Sequence, residues 1–341
     1  ALREHARLVA ALAVLVAAHA AALGAGFLAP YAPTEQHRAL PYAPPTRVHL
    51  VDEAGHVHLR PFVYALVEDE RDPGHYEEDR SRIFPVRLLL ETPRDFGERG
   101  GLRLFGVEEP ASLFLLGADG FGRDQLSRLL YGARISLFAG LLATVLSLGL
   151  GWILGTLAGF YGRWVDAILM RAADLFLALP WLYLLFAVRA MLPLHVSGGQ
   201  AFLLIVVVIG LVDWARPARL VRGVVLSARE RQYVVAARAF GASDLYLIRR
   251  HVAPQTAGIV LTQAAILVPQ YILAEVTLSF LGLGVGEPAP SWGNMLASLQ
   301  RYHVLASYWW MWIPGLALVA VFLAYFALSE AIHLRTGPAS P

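Results

Sequence analysis

The residue types that most often carry chemistry do not assemble a catalytic or metal site in this sequence. Of the 11 histidines, only His56 and His58 lie close together, and although two imidazoles on one strand could share a metal ion, no third ligand converges on them. The absence of cysteine excludes thiolate ligands and cysteine nucleophiles. The absence of lysine excludes a glycine-rich phosphate loop that ends in lysine. With no nucleophile motif around serine or aspartate, a membrane-embedded enzyme is disfavoured.

Arginine is instead concentrated in one stretch, Arg216–Arg250, where eight arginines face only two acidic residues, Glu230 and Asp244. This stretch is too polar to cross a membrane. Its residue pattern is also too regular for a flexible linker. The arginines therefore point to a defined structure on the side of the membrane that retains positive charge.

Two short helices are predicted within this stretch. Alanine and charged residues favour a helix from Ser227 to Phe240, Gly241 is placed to end it, and Ser243 can cap a second helix. Pro254 follows at the entry to the next apolar segment. An apolar stripe is predicted along the first helix at Leu226, Tyr233, Ala237 and Phe240. Such a hairpin could dock in a groove on a soluble partner, or it could lie on the inner leaflet against anionic headgroups.

The elements that must position this stretch are membrane helices. The chain of 341 residues is 57% hydrophobic and only 16% charged, whereas about a quarter of the residues of a soluble domain are charged. Six apolar segments approach or exceed the length of about 20 residues that spans a bilayer. They are Leu8–Ala29, Ile135–Tyr161, Trp164–Leu192, Ala201–Ala215, Thr256–Leu281 and Tyr308–Leu334. The first segment follows two arginines as in a signal peptide, but its length favours a retained span.

Glycines and isolated charges inside these segments predict how the helices pack. Gly140, Gly149, Gly151, Gly155 and Gly159 recur at near-helical spacing in the second segment, which favours close approach of a neighbouring helix.

Charges at membrane depth tend to face the bundle interior or a water-filled path. Arg171 and Asp174 could pair on one helical face, and Arg189 could extend to the interface. Pro180, which could kink the third span, and Glu275, in the fifth, are the candidate pore-lining residues.

The arginine distribution predicts the orientation. Arg163, the Arg216–Arg250 stretch and Arg335 fall on one side, while Arg301 is the only arginine in the short loops of the other. Both termini are therefore expected in the cytoplasm.

The segment 30–128 then lies outside as a small domain, with strand patterns at Val48–Leu59 and Val86–Leu90. The expected divisions are an N-terminal helix (1–29), this extracytoplasmic domain (30–128) and a five-helix core (129–335) that contains the segment 227–254.

The segment from Tyr233 to Ser243, together with Pro254, resembles the cytoplasmic coupling motif of permeases in ATP-binding cassette (ABC) importers. Ala236, Ala237, Gly241 and Pro254 fall on that pattern. Val235 occupies the usual glutamate position, and Ala253 replaces the leucine before the proline.

Three further blocks resemble the dipeptide/oligopeptide permease family, and in particular the second of its two permease subunits. They are Gly117–Leu137, Ser279–Val285 and Pro290–Leu296. With the coupling segment they occur in the family's order and spacing. The resemblance extends over residues 111–335 and includes the first span. The region 30–110 is longer than the usual loop of dipeptide permeases, which favours the oligopeptide type.

The resemblance implies an all-α integral membrane protein. It would have the six transmembrane helices of the type I ABC importer permease fold, with the strand-containing domain between the first two. The implied partners are a second, homologous permease, two cytoplasmic ATPase subunits that hold ATP and magnesium, and an extracytoplasmic substrate-binding protein. The chain itself would carry no cofactor, would contact membrane lipid and no nucleic acid, and would lie in a bacterial or archaeal inner membrane. The ATPase-coupling residues would be Val235, Ala236, Ala237, Arg238, Gly241, Ala242, Ser243, Asp244 and Pro254.

Two alternatives stay open from the sequence. The same type of permease could carry nickel complexes, sugars or another solute in place of peptides. A secondary transporter would need internal repeats with matching broken helices, and neither is visible. The domain 30–128 is expected to dock the binding protein or to gate the entrance, because it lies on the side from which substrate arrives.

Overall fold

The computed structural model of the protein describes residues 2–69, 71–72, 74–91, 101–190 and 197–336. The α-helices are α1 Leu2–Leu23, α2 Ala25–Leu28, α3 Gln125–Tyr161, α4 Arg163–Ala178, α5 Trp181–Ala190, α6 Gly198–Val212, α7 Ala215–Arg229, α8 Gln232–Ala239, α9 Asp244–Leu247, α10 Ala257–Phe280, α11 Trp292–Ala297, α12 Tyr302–Ser307 and α13 Ile313–Thr336. The chain forms two compact units. The first unit comprises Ala1–Leu15, Leu137–Leu278 and Ala320–Pro341, and the second unit comprises Val16–Ser136 and Ser279–Val319.

Four helical stretches in the described part of the chain are long and apolar enough to cross a membrane, compared with six predicted spans. They are Ala6–Leu23, Gln125–Tyr161, Asp244–Phe280 and Trp309–Ile332. A fifth is added if α6 and α7, which are bent by 43° relative to each other, form one broken span.

The predicted third span, Trp164–Leu192, is two shorter helices, α4 and α5, rather than one. The break falls at Leu179, whose backbone is extended (φ −86°, ψ 134°), directly before Pro180. A residue before proline is disfavoured in the helical region, and proline has no N–H to continue the hydrogen-bond ladder. The end of the predicted span, at 191–192, lies outside the described residues.

In the first unit, the glycines of α3 bring its backbone directly against α7. A β-carbon at Gly155 would lie 2.4 Å from the carbonyl oxygen of Ala218, and one at Gly159 would lie 2.8 Å from Cβ of Val225. Gly151 meets the same helix one turn earlier, where a β-carbon would be 3.0 Å from the backbone nitrogen of Ala218. The expectation of glycine-mediated close packing is therefore confirmed for Gly151, Gly155 and Gly159 and wrong for Gly149, where nothing lies within 4 Å of a β-carbon.

Ion pairs hold α4 against α7. Arg222 of α7 donates from Nη2 to Oδ2 of Asp166 at 2.6 Å, and its Nε contacts the other oxygen of the same carboxylate. Asp174 pairs with Arg219 of α7. The expected pairing of Asp174 with Arg171 on its own helix is therefore replaced by a contact between helices, because α7 places its guanidinium groups along the α4 surface.

The second unit contains the predicted strands and more. β1 (His49–Val51), β2 (Val57–Glu68) and β3 (Tyr76–Pro85) form an antiparallel sheet, and β4 (Arg87–Glu91) pairs with β5 (Leu102–Gly106). The predicted strand at Val48–Leu59 is β1, a turn and the start of β2. β3 was not predicted, because its first half is charged on both faces.

The turn between β1 and β2 explains the histidine pair. Asp52 accepts the backbone N–H of His56 at 2.9 Å, and its other oxygen lies 3.0 Å from Nε2 of His58. These hydrogen bonds keep the pKa of Asp52 near 2. Nδ1 of His56 also lies 3.3 Å from that second oxygen, so both imidazoles contact the carboxylate that shapes the turn.

Sequence blocks that are far apart along the chain meet in the second unit. Arg123 binds both carboxylate oxygens of Glu287, at 2.6 and 3.2 Å, and Arg128 binds the same carboxylate at 2.9 Å. The backbone N–H of Trp292 donates to Oγ of Ser136 at 3.1 Å. Both guanidinium groups are almost completely buried, so they depend on these carboxylate contacts. The block that begins at Gly117 and those around Glu287 therefore form one packed structure.

Replacing Gly155 with leucine is expected to destabilise the first unit by about 1–3 kcal/mol, because the side chain must force α3 away from α7. The measurement is thermal unfolding of the purified protein in detergent. Gly149→Leu is the matched control on the same helix, since nothing lies within 4 Å of a β-carbon there. Equal loss of stability in both variants would contradict the assigned contact.

Candidate functional site

The arginine-rich stretch ends in a tight helical hairpin, α8–α9. The N–H of Gly241 donates to the carbonyl of Arg238 at 3.0 Å, and the N–H of Ala242 donates to that of Ala237 at 3.1 Å. This pair of bonds is the Schellman motif, in which the residue after the helix takes a left-handed conformation. Gly241 has φ +84°, as the motif requires. Ser243 then caps α9 by accepting the N–H of Tyr246 at 3.4 Å. The predicted corner and cap are both confirmed.

The predicted helix 227–240 is instead two helices. α7 ends at Arg229 and α8 begins at Gln232, with Arg231 extended between them (φ −62°, ψ 137°). Nη1 of Arg229 donates to the carbonyl oxygens of Gly159 and Phe160 at 2.8 and 3.2 Å, in the last turn of α3. This tertiary contact anchors the end of α7, and the chain turns after it so that α8 can pack back on the core.

The hairpin is seated on a buried apolar cluster of the first unit. Val234 of α8, at 1% exposure, faces this cluster, whereas Phe240 is 92% exposed. The predicted apolar stripe was therefore wrong in phase for Tyr233 and Phe240, because the break at Arg231 rotates α8 relative to α7. The cluster joins α3, α7, α8, α9 and the turn before α10, and its buried members are Phe160, Val221, Val225, Ala228, Val234, Leu247 and Val252.

The outward side of the hairpin is an exposed apolar surface, which we call the hairpin patch. Tyr233, Val235, Phe240, Leu245 and Tyr246 are between 47% and 92% exposed. Exposed apolar groups that are contiguous and rimmed by charge are typical of protein contact sites.

Charged residues border the hairpin patch. Arg238 pairs with Asp244 at 3.7 Å across the corner, and its guanidinium lies 5.1 Å from the ring centroid of Phe160. Both side chains of this pair are about half exposed. Ala236 is exposed beside them and Ala237 is half-buried, so small residues leave the backbone at the corner accessible.

The other predicted site residues lie away from the hairpin patch. Pro254 is exposed in a short 3-10 helix (Ala253–Thr256) that leads into α10. Pro180 is exposed at the break between α4 and α5. Glu275 is fully buried in α10. The pore-lining assignments stay predictions.

Sequence reasoning missed the roles of four residues that define the hairpin. Arg229 is indistinguishable from its neighbouring arginines until the carbonyls of α3 are placed beside it. Phe240 was expected on the packed stripe but is exposed, and Val234, which was not on that stripe, is buried, because of the helix break. Arginine favours helices, so the residue type at position 231 does not predict the helix break there.

The chain is similar to known membrane transport proteins. Residues 151–337 match the family described as binding-protein-dependent transport system inner membrane component. A Brucella ovis protein described as a peptide permease is 41% identical over 275 residues, which cover 77% of this chain and 88% of that protein. A Brucella suis peptide transport system permease protein is 39% identical over 227 residues, covering 66% and 74%. The dipeptide transport system permease protein of Bacillus subtilis is 34% identical over 230 residues, covering 67% and 70%.

Replacing Gly241 with alanine is expected to destabilise the hairpin by about 1–2 kcal/mol, the cost of a left-handed conformation for an L-residue. Nothing lies within 4 Å of a β-carbon at this position, so the effect isolates backbone strain. Hydrogen exchange of the amides in 232–247 measures it as faster opening. Gly223→Ala is the control, because Gly223 lies in α7 with equally open space and there alanine favours the helix. Unchanged exchange in Gly241→Ala would contradict the strained corner.

Proposed function

The chain belongs to the family of binding-protein-dependent transport system inner membrane components, and on that premise we propose that it is one permease subunit of an ATP-driven peptide importer. Peptide cargo is supported by relatives of 34–41% identity that are described as peptide or dipeptide permeases. It forms half of the translocation path, and a second, homologous permease forms the other half.

The hairpin patch carries this proposal. Its large apolar side chains are exposed in the isolated chain, while the opposite side of the hairpin is locked into a close-packed cluster. Burial of aromatic and aliphatic side chains is the main source of affinity at protein interfaces. We propose that the patch docks in a groove on a cytoplasmic ATPase subunit, with Val235, Ala236, Arg238, Ser243 and Asp244 at the contact.

The packing behind the patch supports its role in coupling. Ala237 and Ala242 join the hairpin to the cluster that also contains Phe160 of α3 and Val225 of α7. Interiors packed in this way move as units and transmit displacement with little compression. A displacement of the hairpin by the ATPase would therefore move α3 and α7 together and, through the turn at Pro254, α10.

The energy source must lie in other subunits, since this sequence has no lysine for a phosphate loop. Two ATPase subunits would bind ATP and magnesium, and an extracytoplasmic binding protein would deliver the peptide. We propose six membrane passages, with α4 and α5 as the third and α6 as the fourth, after which α7 carries its arginines on the cytoplasmic side. Both termini and the hairpin would then face the cytoplasm, and the strand-containing segment 30–128 would face outward.

Phe240→Asp and Gly241→Arg are expected to lower retention of the ATPase subunits by at least about tenfold, because a charge replaces an apolar contact or fills the accessible corner. The measurement is the amount of ATPase that co-purifies with this chain, together with ATP-dependent uptake of a labelled peptide in proteoliposomes. Val57→Asp is the control, since Val57 is 77% exposed on β2 in the other unit.

Two results would overturn the proposal. If the chain purifies without ATPase and still moves solute in the absence of ATP, it is a secondary transporter. If the complex hydrolyses ATP and imports sugars or nickel complexes but no peptide, the cargo assignment fails while the coupling assignment stands.

A further inference from the structure

A polar cleft of about 610 Å³ opens in the second unit, beside β2 and β3. Its volume falls within the range of about 300–1,000 Å³ that is usual for small-molecule sites. Arg47, Glu77, Glu78 and Arg80 line it with both signs of charge, and Tyr76 and Trp309 supply aromatic surface. The coupling hairpin contributes nothing to it.

Two of the four charged side chains are already engaged with neighbours. Glu78 lies 2.9 Å from Nε2 of His49. Arg80 donates to Glu53 at 3.1 Å and lies 3.6 Å from the second oxygen of Glu78. These contacts fix Glu78 and Arg80 as part of the wall of the cleft.

The other two are available to a ligand. The side chains of Arg47 and Glu77 are exposed and form no hydrogen bond or ion pair with any other residue that the structure describes. Opposite charges without protein partners in one cleft are complementary to a molecule that carries both charges. A guanidinium is suited to a carboxylate, which it can bind with two parallel hydrogen bonds.

The floor and rim of the cleft are preorganised. Tyr76 is 9% exposed, packs with Leu66 and Phe114, and donates its hydroxyl to the carbonyl of Pro41 at 2.6 Å. Burial raises the pKa of Tyr76 to about 12, so the phenol stays neutral at physiological pH and adds no charge. Trp309 is 64% exposed at the rim and offers an indole face for an apolar side chain.

We propose that this cleft binds short peptides with free termini, with the terminal carboxylate on Arg47 and the terminal ammonium on Glu77. The inference rests on the proposed function and extends it, because it assigns a cargo-contacting site to this chain outside the translocation path. An exposed ion pair alone contributes at most about 1 kcal/mol. Each terminus therefore adds only about fivefold to the affinity, so a free peptide, which offers both termini, binds more tightly than a peptide blocked at one end or the continuous backbone of a folded protein.

The experiment uses the assembled complex in detergent without the substrate-binding protein. Equilibrium dialysis measures binding of labelled trialanine, N-acetyl-trialanine and trialanine amide, with free alanine as a short zwitterion. Arg47→Gln and Glu77→Gln are each expected to weaken trialanine binding by about fivefold, the upper end for an exposed pair. Arg47→Gln should leave binding of the amide unchanged, and Glu77→Gln should leave binding of the acetylated peptide unchanged. A merely structural role for either residue would weaken all peptides alike.

Arg60→Gln is the matched control, because Arg60 is an exposed arginine on β2 that does not line the cleft. The inference is overturned if wild type binds no trialanine, if the variants bind every peptide like wild type, or if alanine binds as well as trialanine. It is also overturned if the variants lose docking of the binding protein while peptide binding is kept, since the cleft is then a protein contact. Normal ATP-driven peptide uptake alongside any of these results leaves the proposed function intact, whereas absence of peptide uptake refutes that function separately.

Discussion

The contact between the backbones of α3 and α7 is the constraint on which the first unit depends. At Gly155 and Gly159 there is no space for even a methyl group, so the distance between the two helices is set by main-chain atoms. In a membrane, where lipid is as apolar as leucine, this close packing replaces the hydrophobic effect as the force between helices. It also places Arg222 and Arg219 of α7 where Asp166 and Asp174 of α4 pair with them.

The position of the hairpin depends on the contact between α3 and α7. Arg229 reaches the carbonyl groups at the end of α3 only because α7 lies so close to it. The chain then turns at Arg231, and Val234 enters the cluster behind the hairpin. One side of the hairpin is therefore packed in the interior, and the other leaves Phe240 exposed. These two properties are what the proposed coupling role requires.

Charge is used in two ways in the second unit. The guanidinium groups of Arg123 and Arg128 are buried and share Glu287, which joins distant parts of the chain. Such groups are structural, because leaving a buried charge without its partner is costly. Arg47 and Glu77 are exposed and have no partners among the described residues. Because water solvates an exposed charge, leaving these two side chains unpaired costs little free energy, and they stay available to a ligand.

Local signals in the sequence determined the membrane character of the chain, the glycine packing stripe and the corner at Gly241, because each depends on residue type and near-neighbour spacing. The motif around Ala236 and Ala237, together with the blocks Gly117–Leu137, Ser279–Val285 and Pro290–Leu296, likewise identified the family without any structure. The sequence did not determine that α8 begins afresh after Arg231, or that Asp174 prefers Arg219 to a residue on its own helix. Those outcomes depend on which helices become neighbours. Hydrophobic periodicity indicates which face of a helix is buried. Only the tertiary structure decides which residues of other helices contact that face.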